Sequence, residues 1–294
     1  MKVGTIIKDA RRAKGLNQQE LSKGICTQAT ISNVESNRSM PNVQTLKLIA
    51  DRLTIDFGEL MSYMSEKSEQ KEMLQLAKVS LKKKDYEKTK KILIENLKIS
   101  ELSSSELKEY HYYFGMAELL GNSNFQDAMY HFNLGLQQVV KTKMNIIETS
   151  TINAIGIAYF MENEIEKAKF YFEKSLTQLE EMRSSNDNFL DLTECIKIYY
   201  HSAKYYTHVN EYNKANDLLS KAIDLQKKEK KLPGLEVLYF EKGVNFALLN
   251  ELSSAKKMIF IALGLCEINS NEILIKRILK EVEELGMNSI AYEK

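Results

Sequence analysis

Two sets of side chains in this sequence have types and spacings suited to recognition chemistry. Gln28, Ala29, Ser32 and Asn33 fall on one side of a short helical pattern, and Ile31 and Val34 fall on the other. A carboxamide holds a donor and an acceptor side by side, so Gln28 and Asn33 can each close a bidentate pair with a planar partner. Ala29 offers a methyl group and Ser32 a hydroxyl. The second set is spread over several later helical patterns: Tyr112, Tyr113 and Met116; Asn153, Ile157 and Phe160; Tyr200, His201, Lys204 and His208; Phe240, Glu241 and Val244. Aromatic rings form side-chain pockets, and an amide can hold a backbone N–H and C=O together. The same aromatics could equally pack between helices. Asn153 is the leading candidate, because an amide at an inner helix position is expected to have no packing use.

Other chemistries lack their signatures. The four histidines (His111, His131, His201, His208) form no metal motif, although His201 and His208 can share one helix face. No phosphate loop, nucleophile elbow or paired-carboxylate pattern is present. The expectation is a non-enzyme with no catalytic residue, no metal and no cofactor. Cys26, Cys195 and Cys266 lie far apart, as reduced and mostly buried thiols in a cytosolic protein would. Met1 to Ala13 is charged and lacks the apolar core of a signal peptide. No apolar run approaches the ~20 residues of a membrane span. A cytoplasmic protein with no membrane partner is expected.

The elements that must position these residues are helices. Only two prolines occur in 294 residues, and helix interiors exclude proline. The 28% charged and 44% apolar content fits a folded, soluble chain. Net charge is +1, but from Met1 to Met40 seven basic residues (Lys2, Lys8, Arg11, Arg12, Lys14, Lys23, Arg38) face three acids (Asp9, Glu20, Glu35). A basic excess at one end is an electrostatic footprint for nucleic acid. Five short helical patterns divide the N-terminal region. The first runs from Gly4 to Lys14 and stops at Gly15. Asn17 caps a second from Gln18, and the turn Ile25-Cys26-Thr27 leads to a third, Gln28 to Ser36, capped by Thr27. Pro41 breaks the chain before a fourth, Val43 to Leu53, and Phe57, Leu60 and Met61 start a fifth.

From about Glu69 the chain repeats itself. A small residue in one helix is followed by a small residue in the next, then a large apolar one four positions on. The series is Ala77, Thr89, Leu93; Gly115, Ala128, Phe132; Gly156, Ala168, Phe172; Ala203, Ala215, Leu219; and Gly243, Ala255, Ile259. The repeats start 38 to 47 residues apart. Small residues let paired helices approach, and large ones fill the space between them. A last helix, Asn271 to Leu285, is expected to cap the series with Ile275, Ile278, Leu279 and Val282 inward. Ser184 to Asn188 and Leu232-Pro233-Gly234 read as loops between repeats.

The N-terminal order resembles the Xre/Cro-type helix-turn-helix family. The resemblance rests on Leu16-Asn17-Gln18-Gln19-Glu20-Leu21, Thr30-Ile31-Ser32-Asn33-Val34-Glu35, Pro41, Thr45-Leu46, Ile49-Ala50 and Leu53 to Leu60. It implies that the third helix enters the DNA major groove N-terminus first while the second crosses the backbone. Gln28, Ala29, Ser32 and Asn33 then become candidate base readers, since Gln and Asn pair with adenine and Ala meets a thymine methyl. Gln18, Thr27, Asn37 and Arg38 become candidate phosphate contacts. Glu35 is expected to pair with Arg11 inside the domain.

The repeats resemble the tetratricopeptide repeat, with longer spacing than its usual ~34 residues. Together the two parts are similar to the PlcR-like members of the Rgg/Rap/NprR/PlcR/PrgX group of peptide-sensing regulators. Ile25-Cys26-Thr27-Gln28, Glu35-Ser36, Asn153-Ala154-Ile155 and Lys221-Ala222-Ile223 carry that similarity. The resemblance implies an all-α fold: a five-helix lambda-repressor-like domain at 1–61, a linker helix at 62–70, and at 71–294 a right-handed superhelix of about five helix pairs with a capping helix. It implies a homodimer on a pseudo-palindromic operator in double-stranded DNA, reset by a short peptide on the concave face of the repeats. The inner positions Tyr112, Tyr113, Met116, Asn153, Ile157, Phe160, Tyr200, His201, Lys204, Phe240 and Glu241 are the expected ligand contacts. His201 and Glu241 stand where the group offers further amides, which would select a different ligand, such as a more basic peptide. The alternative is a regulator that senses a metabolite or docks a partner protein through the repeats.

Overall fold

Asn17, Thr27 and Asn42 set where three of the N-terminal helices begin. In the computed structural model, each accepts a backbone N–H of the first helical turn through its side-chain oxygen. The structure describes residues 3–137, 145–184, 191–228 and 233–286, with the side chains of residues 59 and 62–68 outside that description. Asn17 and Glu20 form a reciprocal capping box. The helices are α1 (Val3–Ala13), α2 (Gln18–Ser22), α3 (Gln28–Glu35), α4 (Val43–Leu53) and α5 (Phe57–Lys82). Ile7, Leu21, Ile31, Val34, Leu46, Ile49 and Leu60 are fully buried against one another. Full burial of such a side chain stabilises by roughly 1.5–3 kcal/mol.

Gly4 lets α1 approach α3. A Cβ there would lie 2.1 Å from the Val34 carbonyl oxygen. The fifth helix does not end with the first domain. It runs unbroken to Lys82 through the segment expected to be a linker, because no glycine or proline interrupts residues 59–82.

The remaining helices come in pairs. α5 pairs with α6 (Tyr86–Glu95), α7 (Ser104–Asn122) with α8 (Phe125–Gln137), and α9 (Ile146–Met161) with α10 (Ile165–Ser184). α11 (Leu192–His208) then pairs with α12 (Tyr212–Lys228), α13 (Leu235–Leu248) with α14 (Leu252–Ile268), and α15 (Glu272–Glu284) follows. The small-then-large rule has a direct physical basis. A Cβ on Gly115 would stand 2.5 Å from Phe132, one on Gly243 2.8 Å from Ile259, and one on Gly156 3.2 Å from Phe172. Within pairs, the turn passes through a left-handed residue, such as Asn163 (φ 59°), Asn210 (φ 63°) or Asn250 (φ 61°). Asparagine tolerates that conformation better than most residues.

The capping helix differs slightly in register from expectation. Leu274, Ile278 and Val282 are buried, whereas Ile275 and Leu279 are only half-buried. Residues 185–188 and Leu232, read as loop, lie outside the described residues. The chain forms two compact units, residues 1–110 and 111–294, so α5 and α6 belong with the N-terminal helices. No described helix is long and apolar enough to cross a membrane.

Candidate functional site

The exposed face of α3 is built on a hydrogen-bonded chain that ends in the domain core. Glu35, at the C-terminal end of α3, is buried and takes a bidentate contact from Arg11 of α1 (Nε to Oε1 2.5 Å, Nη2 to Oε2 2.9 Å). Gln18 of α2 donates to the same carboxylate at 2.9 Å, and Gln28 of α3 donates to Gln18 Oε1 at 3.1 Å. Burial raises the Glu35 pKa, but the Arg11 and Gln18 hydrogen bonds outweigh it, and the carboxyl sits below its usual range. Arg11 also donates to the Leu16 carbonyl at 2.5 Å. One buried ion pair thus ties α1, α2 and α3 together and orients two side chains at the surface.

Gln28, Ala29, Ser32 and Asn33 are all exposed, while Ile31 and Val34 are fully buried. Thr27 and Arg38 are exposed and Gln18 is half-buried. Asn37 is engaged inside the domain. It adopts φ 54°, and its Oδ1 accepts the Gly4 N–H at 3.1 Å, anchoring the start of α1. Sequence reasoning missed Arg52 of α4, which donates to the Leu21 and Lys23 carbonyls and so satisfies the C-terminal end of α2. No local pattern announces that contact.

In the second unit, α11 touches both α9 and α13, as the first helices of stacked pairs do. Their shared face carries most of the second set of candidates. Ile157, Phe160, Tyr200, His201 and Lys204 are half-buried, and His208 is exposed. Tyr112, Tyr113, Met116 and Phe240 are buried packing residues, at most 6% exposed. Asn153 is 2% exposed, and its Nδ2 donates to Ser175 Oγ of α10 (3.0 Å) and Ser202 Oγ of α11 (3.2 Å). The premise that its amide lacks a packing use is therefore not met, since it pins three helices together.

Glu241 also differs from expectation. It is 3% exposed, and both its oxygens are covered: Oε2 by Lys204 (2.7 Å) and Oε1 by Arg277 of α15 (3.2 Å). It does not offer a carboxylate to a basic ligand. A parallel arrangement, unseen in the sequence, lies one end of α11 away. Glu194 is wholly buried and accepts from Lys197 (2.8 Å), Tyr112 (3.3 Å) and Ser150 (3.2 Å). The only sequence signals were the i,i+3 spacing of Glu194 and Lys197 and the one-face spacing of Lys197, Tyr200, His201 and Lys204. Burial, and secondarily Lys197, push the His201 imidazole down to about 4, so it is neutral near pH 7. Among the described residues no group of three or more His, Cys, Asp or Glu could hold a metal ion.

Comparison with known proteins fits this geometry. Residues 7–60 match the family model described as Helix-turn-helix. The ImmF control region 10 kDa protein of Bacillus phage phi105 is 37% identical over 60 residues, which are 20% of this chain and 67% of that protein. Bacillus thuringiensis PlcR, solved in complex with the peptide PapR7 and DNA, aligns with TM-score 0.63 and 22% identity over 94% of this chain and 98% of that one. ComR from S. thermophilus, solved with DNA and its signalling peptide ComS, aligns with TM-score 0.53 and 15% identity over 97% of this chain and 99% of that one. The all-α fold, a helix-turn-helix followed by tetratricopeptide-like pairs, is the fold of these structures.

Proposed function

This chain belongs to the helix-turn-helix family through its N-terminal domain, and from that premise we propose that it is a DNA-binding transcriptional regulator whose repeats sense a short signalling peptide. The observation that carries the DNA reading is the α3 face: Gln28, Ala29, Ser32 and Asn33 stand exposed together, and Gln28 is held by Gln18 over the buried Glu35. Pre-oriented carboxamides lose less entropy on pairing with a base edge. Thr27 at the N-terminus of α3 and the exposed Arg38 supply phosphate contacts.

The peptide reading is supported by the shared fold with PlcR and ComR, both solved with DNA and a peptide. It is supported too by a face of α9, α11 and α13 that mixes half-buried aromatics with hydrogen-bonding groups. The active species is a homodimer on a pseudo-palindromic operator, because one small domain reading one half-site binds weakly. Peptide shifts the population of dimer geometries only in so far as it binds one geometry better than the other.

The direct test is native mass spectrometry of the full chain, alone and after incubation with the small-peptide fraction of the producing culture, beside selection from random duplex DNA. A dimer that retains a peptide and enriches a two-fold symmetric site is the expected result. A protein that enriches no site loses the DNA reading. One that stays empty, or retains only a non-peptide metabolite, loses the peptide reading.

A further inference from the structure

The face of α11 that meets α9 and α13 has a charge layout that the choice of Lys204, His201 and Glu241 as candidates did not reveal. Its two carboxylates lie at the bottom, with Glu194 and Glu241 side chains 0% and 3% exposed. Its cations lie above them: the side chains of Lys197, Lys204 and Arg277 are 33%, 38% and 50% exposed. Anything approaching this face meets ammonium and guanidinium groups first. The carboxylates are too deep to reach it. Three cations stand over two carboxylates, and Glu241 alone holds two of them. His201, between Lys197 and Lys204, is neutral near pH 7 and adds no charge.

The cations are also pre-positioned. The hydrogen bond to Glu241 uses one of the three N–H donors of Lys204, and that from Arg277 uses one of five. The Arg277 guanidinium lies over the Phe240 ring, 5.3 Å from its centroid, which restricts it further. Held cations with spare donors pay less side-chain entropy to bind an anion than free surface lysines do. Lys197 and Lys204 are seven residues apart on one helix, about 10 Å along its axis. An extended peptide covers that distance in roughly three residues.

We propose that this face is a carboxylate-binding site, and that the ligand is an acidic peptide whose carboxylate seats on Lys204 and Arg277 with its chain running toward Lys197. The inference rests on the peptide-sensing reading above. Two sources share this chemistry, the peptide's own terminus and an Asp or Glu side chain.

The test uses immobilised full-length protein and two random heptapeptide libraries, one with free C-terminal carboxylates and one amidated, with retained peptides read by mass spectrometry. If the terminus is the source, retention drops at least about tenfold in the amidated library. If a side chain is the source, Asp and Glu are enriched about tenfold in both. In either case the gain is lost in Arg277→Gln, where Lys204 still covers Glu241. It is lost also in Lys204→Gln with Glu241→Gln, which removes the cation without stranding a buried carboxylate. Retained peptides that are neutral or basic, and alike in both libraries, would overturn the carboxylate site while leaving the peptide reading intact. No retained peptide from either library would overturn both.

Discussion

Gln28 donates to Gln18 across 3.1 Å, linking the first residue of the exposed helix α3 to the first residue of α2. Because Gln18 is itself bound to the buried Glu35, the outer carboxamide is oriented by a charge in the core. The proposed base-reading face and the stability of this domain therefore share one network, and substitutions along it separate the two.

Gln28→Ala combined with Asn33→Ala removes two exposed carboxamides and no buried group. The expected result is loss of sequence preference, about 1–3 kcal/mol for each base pair no longer read, with little change in thermal stability. Selection from random DNA beside a melting curve checks both. An unchanged preferred site would remove these residues from base reading. Arg38→Ala, in contrast, is expected to weaken all sequences alike and to flatten the salt dependence.

Arg11→Ala leaves the Glu35 carboxylate buried without its bidentate partner. The expected cost is roughly 3 kcal/mol or more, seen in denaturant unfolding of the N-terminal unit. Glu35 also sets a pH dependence. Its folded pKa lies below the ordinary 4.5, so its contribution is present above about pH 4.5 and is lost as pH falls through the lower folded value. Glu35→Gln should abolish that acid limb. An identical limb in the variant would assign it to other carboxylates.

His111 and His201 are held neutral in the folded chain, whereas Glu35 is held charged, yet all three bind a proton more weakly folded than unfolded. Burial lowers both imidazoles from 6.5 to about 4, with His131 and Lys197 as the respective secondary causes. Between those values the unfolded chain binds protons that the folded chain does not. Stability of unit 111–294 is therefore complete above about pH 6.5 and falls as pH drops toward 4. Replacing both with Gln should flatten the loss in thermal unfolding over that range. A wild-type protein with constant stability from pH 6.5 to 4 would contradict the assignment.

Alanine at the helical glycines gives a graded series. Gly115→Ala drives a Cβ to 2.5 Å from Phe132, and overpacking of this kind costs about 1–3 kcal/mol. Gly156→Ala, with 3.2 Å to Phe172, should be milder, because the gain in helix propensity of about 1 kcal/mol offsets the crowding. Gly264→Ala meets nothing within 4 Å and should stabilise by up to about 1 kcal/mol. Chemical denaturation ranks them. A destabilising Gly264→Ala would show that the open space is filled in solution.

Much of the fold was legible because its signals are local. Asn17 and Thr27 cap helices through backbone N–H groups three residues away. Helix period and small-then-large spacing likewise need only near neighbours, and the α3 face followed from Ile31 and Val34 alone. The ion pair of Arg11 with Glu35, though 24 residues apart, was readable through the family resemblance.

The fate of the polar residues on the repeats was decided by tertiary structure. Asn153 and Glu241 have the same amphipathic settings in sequence as Lys204 and His201. Whether such a group faces a ligand or is consumed depends on partners brought in by packing: Ser202, 49 positions from Asn153, and Arg277, 36 positions from Glu241. A buried polar group must find a partner, and its desolvation cost is set by every neighbouring helix at once. The chain's own periodicity determines which side of a helix turns inward. Only the assembled helices determine how deep each carboxylate sinks and which cations are left above it.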